Sequence, residues 1–170
     1  MKKLTLVLMT FVFVSMPALA FAEGRVAVFN LQAAIINTDA AQVKIKAFQE
    51  NAEFAEMKAK YESIIAELQK MDQDEKTNGV TWAQDKKIEH RKQMDYKRAD
   101  LENEAKKLKN ENDRFLQGIL QESAQSAQAV VQELIKSEGI GLILNAEAVV
   151  FADSSYDITA KITDRLNKAK

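Results

Sequence analysis

Residues that break helices are almost absent from this 170-residue chain, and that absence limits what it can fold into. The chain has five glycines and a single proline, Pro17, which lies in the N-terminal leader. Glycine and proline are the residues that most often interrupt helices and mark turns. Charged side chains make up 29% of the residues, a high share for a compact enzyme, so they must be spread over long solvated surfaces. The sequence therefore predicts a mainly helical protein.

The first 22 residues have the pattern of a secretory signal peptide. Lys2 and Lys3 precede an apolar stretch at 4–16, and two overlapping small-x-small triplets follow within 18–22. The alternative interpretation is a transmembrane anchor, but the apolar core is shorter than the ~20 residues that span a membrane. Both triplets could be cleaved, and we favour cleavage after Ala22, which predicts export to the periplasm. Loss of both lysines leaves 22 basic and 25 acidic side chains, a net charge of −3.

A strand is predicted at residues 25–30, a short helix at 31–36 and a long helix at 40–76, with capping side chains at 37–39. Apolar residues recur in the long helix at alternating steps of three and four, which is a coiled-coil seam with one phase slip. The two sets are Ala41, Ile45, Phe48, Ala52 and Ala55, then Phe54, Met57, Tyr61, Ile64, Leu68 and Met71. The remaining positions are mainly charged or amide side chains. One partner helix is therefore needed to cover a narrow apolar stripe.

The partner helix is expected to begin just after a turn at 77–81. Thr81 and Gln84 have the spacing of a capping box, with Thr81 as the N-cap. The helix can continue to about Ser137, where Gly139 offers a C-terminal stop. Because the turn is short, the two helices are predicted to pair in antiparallel directions.

The facing residues of this helix pair have numbers that add to about 158. This register places Ile64 opposite Met94 and Met57 opposite Leu101, and all four are apolar. At a rise of 1.5 Å per residue, the outgoing helix is about 55 Å long. Residues 40–118 are therefore predicted to form a projecting coiled-coil hairpin arm.

Residues 23–39 and 119–170 are assigned to a small α+β body that mediates oligomerisation. Apolar residues become much denser beyond the arm, so the second helix is expected to run on into this body. The runs 142–145 and 149–152 predict a β-hairpin and, with the first strand, a three-stranded sheet. A last helix is expected from about Tyr156. One face of that helix carries Ile158, Ile162 and Leu166.

Both faces of the predicted sheet carry apolar side chains and should be buried. The body has only ~70 residues, a size at which one core rarely supplies more than ~3–5 kcal/mol. Its own helices can cover one face, so the other should close against identical sheets of neighbouring subunits. The residues predicted to lie in this oligomerisation surface are Val26, Val28, Leu142, Leu144 and Val150.

The passage at 141–159, with its strand–turn–strand pattern and the Asp-Ile-Thr sequence at 157–159, resembles the Skp/OmpH family of periplasmic chaperones. Residues 25–30 are similar to the family's first strand, and the likeness extends to the C-terminus. It implies a homotrimer whose sheets form a central β-barrel and whose arms enclose a cavity that holds unfolded outer-membrane proteins without ATP. Many relatives are markedly basic, whereas this chain has a pI of about 6.0. Contact with lipopolysaccharide or membrane is therefore expected to be weak, and no nucleic-acid partner is expected.

Two groups of arm residues are candidates for contact with clients. The seam cannot bury every apolar side chain, and those expected on the inner faces are Phe54, Ile65, Tyr96 and Phe115. The return helix also carries a cationic run, namely Lys86, Lys87, Arg91, Lys92, Lys97 and Arg98. These cations could pair with carboxylates of the outgoing helix or could steer acidic or lipid-bound clients towards the arm. The acidic net charge favours pairing.

No catalytic, cofactor or metal site is predicted. The chain has no cysteine, which excludes disulfides and thiolate metal sites. His90, the only histidine, lacks an orienting partner for catalysis and is expected to be solvated or at the edge of the seam. Residues 72–79 resemble the start of a calcium loop, but Lys76 takes the fifth position and Thr77 the glycine position, so a charged helix end is favoured.

Two functions remain open on these observations. A non-enzymatic holdase, which binds unfolded polypeptides without ATP, fits the predicted arm and body. The alternative is a structural envelope protein whose coiled coil spaces or scaffolds other components. Protection of a denatured β-barrel membrane protein from aggregation would discriminate between them.

Overall fold

The computed structural model describes residues 24–169, so the predicted signal peptide at 1–22 lies outside the described residues. The elements in chain order are β1 (Arg25–Phe29), α1 (Leu31–Ile36), α2 (Asp39–Gln49), α3 (Ala52–Asn78), α4 (Gln84–Glu138), β2 (Ile140–Asn145) and α5 (Thr159–Lys168), with 3₁₀ turns at Gly79–Thr81, Ala146–Ala148 and Ser154–Tyr156. The protein is thus mainly helical with a small sheet, as the sequence predicts. None of the helices within 24–169 is long and apolar enough to cross a membrane.

The continuous helix predicted at 40–76 is wrong, because the chain leaves the helical path at Asn51. This residue has extended backbone angles, φ −64° and ψ 135°. Its side-chain oxygen accepts hydrogen bonds from the backbone N–H groups of Glu53, at 2.8 Å, and Phe54, at 3.4 Å. Asparagine competes with the helical backbone in this way and is favoured as an N-cap. The break separates α2 from α3 near the phase slip of the apolar repeat.

The capping box predicted at Thr81 is also wrong. Thr81 lies inside the 3₁₀ turn, and its hydroxyl donates a 2.8 Å hydrogen bond to the carbonyl oxygen of Asn78. The N-cap of α4 is Ala83, which offers no side-chain hydrogen bond. At the other end of this 55-residue helix, Gly139 adopts the left-handed conformation at φ 62°, and its N–H donates to the carbonyl of Ile135. The predicted glycine stop is therefore confirmed.

Along the contact between helices α3 and α4, residue numbers increase in α3 as they decrease in α4. The interhelical ion pairs of the middle section join Lys60 to Glu104 and Glu67 to Lys97. The numbers of both pairs add to 164, so the predicted register, with a sum of about 158, is wrong by almost one heptad, a shift that still lets the apolar stripes face each other. Ile64 and Met94 are both buried. The apolar stripe of α3 is therefore covered by α4 at this level.

The sheet has two strands, β1 and β2, and they are parallel. The aligned residues are Val26 with Leu142, Ala27 with Ile143, and Val28 with Leu144. The predicted β-hairpin and three-stranded sheet are wrong, because 149–152 is not a strand. Asn145 instead opens a 3₁₀ turn, and its side chain accepts a 3.0 Å hydrogen bond from the N–H of Glu147. Beside β1, Val28 forms an isolated parallel bridge with Asp157.

The body core lies between one face of the sheet and helices α1, α4 and α5. Its buried residues are Ala27, Ala34, Val130, Leu134, Ile140, Ile158 and Ile162. Helix α5 begins at Thr159, three residues later than predicted, because 154–156 forms a 3₁₀ turn. The predicted apolar face of this helix is confirmed, since Ile158 and Ile162 are buried and Leu166 packs against the core. A second cluster continues from the body to the base of the helix pair, with Ile35, Ala41, Ile119 and Ala127.

Two glycines allow the backbone to cross at the start of the sheet. A Cβ atom on Gly24 would lie 2.5 Å from the Cα of Gly141, and one on Gly141 would lie 2.8 Å from the Cα of Gly24. Such distances are shorter than any ordinary carbon–carbon contact, and both nearest atoms are backbone. Glycine is therefore required at both positions for this crossing.

Candidate functional site

One face of the two-stranded sheet is left open. Side chains two residues apart on a strand point to the same face, so Val26, Val28, Leu142 and Leu144 share one face. Leu142 is 49% exposed and Leu144 is 38% exposed, whereas Val28 is buried beside the 157–158 segment. The opposite face, with Ala27, packs against the helices. The body therefore presents apolar side chains that its own helices do not cover.

The structure does not bring Val150 to the sheet, where the sequence placed it. Val150 is fully exposed and lies with the exposed Phe151 in a segment outside the sheet. Large apolar side chains that are exposed next to each other commonly mark interaction surfaces. The body thus carries an open sheet face and a separate exposed apolar segment.

The four predicted client-contact residues do not form one site. Phe54 and Phe115 are half-buried and are brought together by Phe48, which the sequence analysis assigned to the seam. The ring centroids of Phe48 and Phe54 are 4.4 Å apart, and those of Phe48 and Phe115 are 4.1 Å apart and nearly parallel. Ile65 is half-buried beside the seam, whereas Tyr96 is exposed on α4. Tyr96 is therefore the most exposed of the four.

This aromatic cluster lies at the break between α2 and α3. A small surface cleft there is lined by Asn51, by Phe54 and Met57 of α3, and by Phe115 of α4. Aromatic rings stacked at such distances contribute more than their buried area alone. The cluster therefore holds the two sides together at a point where the outgoing helix is interrupted.

The six cations of α4 have different environments. Lys97 pairs with Glu67 of α3, and this hydrogen bond raises the pKa of Lys97 and lowers that of Glu67. Arg98 contacts Asp95 of its own helix at 3.2 Å, and the Lys86 ammonium lies 4.5 Å from the centroid of the Trp82 ring. Within residues 24–169, no ion pair involves the other three, Lys87, Arg91 and Lys92. Pairing with the outgoing helix thus accounts for one of the six.

An ion cluster around the buried Glu104 of α4 was not predicted from the sequence. Glu104 is only 6% exposed, and its carboxylate lies 2.8 Å from the Lys60 ammonium and 2.9 Å from that of Lys107. Hydrogen bonds from Lys60 and Lys107 lower the pKa of Glu104, and the same contact raises the pKa of Lys60. The sequence offered one signal for this cluster: Glu104 lies three residues after the seam residue Leu101, and both helices carry lysines. The two ion pairs fix the relative positions of these three side chains.

Clusters of histidine and carboxylate side chains that could hold a metal ion do not occur in the part of the chain that the structure describes. His90 is not solvated, because its side chain is only 11% exposed and its ring centroid lies 4.6 Å from that of Trp82. The solvated alternative is therefore wrong, whereas the position at the edge of the seam stays a prediction.

Comparison with known proteins identifies the family. The model of a family described as "Outer membrane protein (OmpH-like)" matches residues 25–166. A Skp-like protein of Pseudomonas aeruginosa PAO1 is 26% identical over 171 residues, which cover 100% of both chains. A crystal structure from Caulobacter crescentus CB15, described as an outer membrane chaperone (OmpH-like), covers 85% of both chains with a TM-score of 0.42 and 19% identity. The resemblance predicted from the sequence is confirmed, and the chain belongs to the Skp/OmpH family.

Proposed function

We propose that the protein is a periplasmic holdase that binds unfolded outer-membrane proteins without ATP and prevents their aggregation. The observation that carries this proposal is the family match over residues 25–166, since relatives in this family are named as Skp-like and as outer membrane chaperones. The long helix pair and the open apolar face of the body are compatible with that role. The N-terminal 22 residues would act as the signal peptide that delivers the chain to the periplasm.

The proposed working form is a homotrimer. Residues 23–39 and 119–170 form the body in this proposal, and the open sheet face supports its association because Leu142 and Leu144 would otherwise stay exposed. A two-stranded sheet is also marginal by itself. Residues 40–118 form an antiparallel coiled-coil arm, and three such arms around one axis would enclose a cavity for the client.

Clients would contact apolar side chains along the arm. Tyr96 is the most accessible of the four candidates, whereas Phe54 and Phe115 become available only if the cluster around Phe48 opens. The free cations Arg91 and Lys92 would add steering of acidic segments, which depends on salt concentration. The acidic net charge of the chain makes lipopolysaccharide or membrane contact a minor contribution.

The test is dilution of a urea-denatured β-barrel membrane protein into buffer without ATP, with light scattering as the readout. Molar excess of the purified protein should suppress scattering. The Tyr96→Ala variant should protect less well, whereas Val80→Ala, which removes another exposed apolar side chain, should protect as well as the wild type. Full aggregation at molar excess would favour the alternative function, a coiled-coil scaffold or spacer of the envelope.

A further inference from the structure

Trp82, at the end of the turn between α3 and α4, contacts His90 of α4, and the two are the single tryptophan and the single histidine of the chain. Trp82 is 8% exposed, and it is the one buried residue between Ile64 and Met94. The N-cap of α4, Ala83, provides no side-chain hydrogen bond. Packing of Trp82 against His90 therefore links this turn to the start of α4.

His90 has an unusual environment for a polar side chain. Its Nε2 atom is buried, and it has no hydrogen-bond partner within residues 24–169. The Oε2 atom of Glu75 on α3 lies 3.9 Å away, beyond hydrogen-bond distance. Buried polar atoms are nearly always paired, so an unpaired one calls for an explanation. Imidazole is also the side chain that changes charge between about pH 5 and 8.

The charges around the two rings come from both helices. Glu75 is the nearest carboxylate, and the Lys86 ammonium lies over the Trp82 ring. The other charged side chains that line the cleft beside His90 are Glu67, Lys70 and Asp74. Two of these carboxylates are already engaged: Glu67 pairs with Lys97, and Asp74 accepts a 2.6 Å hydrogen bond from the side-chain amide of Asn78. Glu75 is therefore the carboxylate free to respond to a charge on His90.

We propose that Glu75, Trp82 and His90 form a pH-responsive clasp that tightens the turn between α3 and α4 when His90 is protonated. A protonated ring carries an N–H on both nitrogens, so Nε2 is then a charged donor, and Glu75 needs to move by only about 1 Å to accept a charge-assisted hydrogen bond. The face of Trp82 also attracts a cation. In the neutral state Nε2 has no charge-assisted hydrogen bond to Glu75, and the turn is looser.

The fluorescence of Trp82 reports directly on this clasp, because no other tryptophan is present. Titration of the purified protein from pH 5 to pH 8 should give one sigmoidal change in Trp82 emission, and the His90→Gln variant should abolish it. In the Glu75→Gln variant the midpoint should move to lower pH. The matched control is Glu89→Gln, which removes an exposed carboxylate next to His90 and should leave the midpoint unchanged. Circular dichroism at 222 nm verifies that each variant stays helical.

Hydrogen exchange gives an independent readout of tightening. After correction for the intrinsic pH dependence, amides of residues 79–90 should exchange several-fold more slowly at pH 5 than at pH 8, and the difference should vanish in His90→Gln. The clasp is refuted by flat Trp82 emission, by a transition that survives in His90→Gln, by an unshifted midpoint in Glu75→Gln, or by faster exchange at pH 5. These outcomes are independent of client protection, so failure of the holdase test would leave the clasp untouched.

Discussion

Replacement of Leu144 by glutamate tests whether the open sheet face is an assembly surface. In the single chain, Leu144 is 38% exposed beside Leu142, so the new carboxylate can reach water and the body should still fold. Complete burial of a leucine contributes about 1.5–3 kcal/mol, and the exposed part of Leu144 would therefore contribute about 0.6–1 kcal/mol per subunit on assembly. A carboxylate buried there without a partner would cost several kcal/mol more. We expect Leu144→Glu to separate the subunits while their helices remain folded.

Sedimentation equilibrium at micromolar concentration is the assay, with circular dichroism as the measure of folding. The wild type should sediment as a trimer and Leu144→Glu as a monomer. Val80→Glu introduces the same charge at an exposed site between α3 and α4, so it should remain trimeric. A monomeric wild type, or a Leu144→Glu variant with the wild-type mass, would refute the assembly and the cavity that depends on it. The variant should also lose client protection although its arm sequence is unchanged.

Three further predictions concern the helix pair. Asn51→Ala removes the cap of α3 and should lower the free energy of unfolding by about 1 kcal/mol, with faster hydrogen exchange at 52–56; unchanged exchange there would contradict the role of the cap. Because its ion pairs hold the pKa of Glu104 below the ordinary value of 4.5, this carboxylate should stabilise the pair above that pH and cease to do so as the pH falls through the lowered value. Acid unfolding followed by circular dichroism should therefore be less steep in Glu104→Gln, and an identical profile would argue against it. Amides at 65–100 should exchange faster than those of the body sheet, since loose pairing lets the arm bend to fit clients of different shape, and equally slow exchange would refute this flexibility.

The sequence by itself determined the features that depend on neighbouring residues along the chain. The β-branched run at β1, the short helix α1 and the glycine stop at Gly139 are local signals, and all three are present in the structure. The apolar spacing likewise identified Ile64 and Met94 as buried residues, because a repeat of three and four places them on one face of each helix. The resemblance to the Skp/OmpH family came from the passage at 141–159, which the family match includes.

Only the tertiary structure decided which of two competing local signals prevailed and which distant segments pack against each other. Asn51 could have remained inside a helix, and only the packing of Phe48 against Phe115 shows why a break is tolerated there. The run at 149–152 has the composition of a strand, but strand pairing is non-local, and β1 took β2 as its parallel partner instead. The burial of Glu104 and His90 depends on side chains from the opposite helix. The spacing of residues within one helix does not predict those contacts.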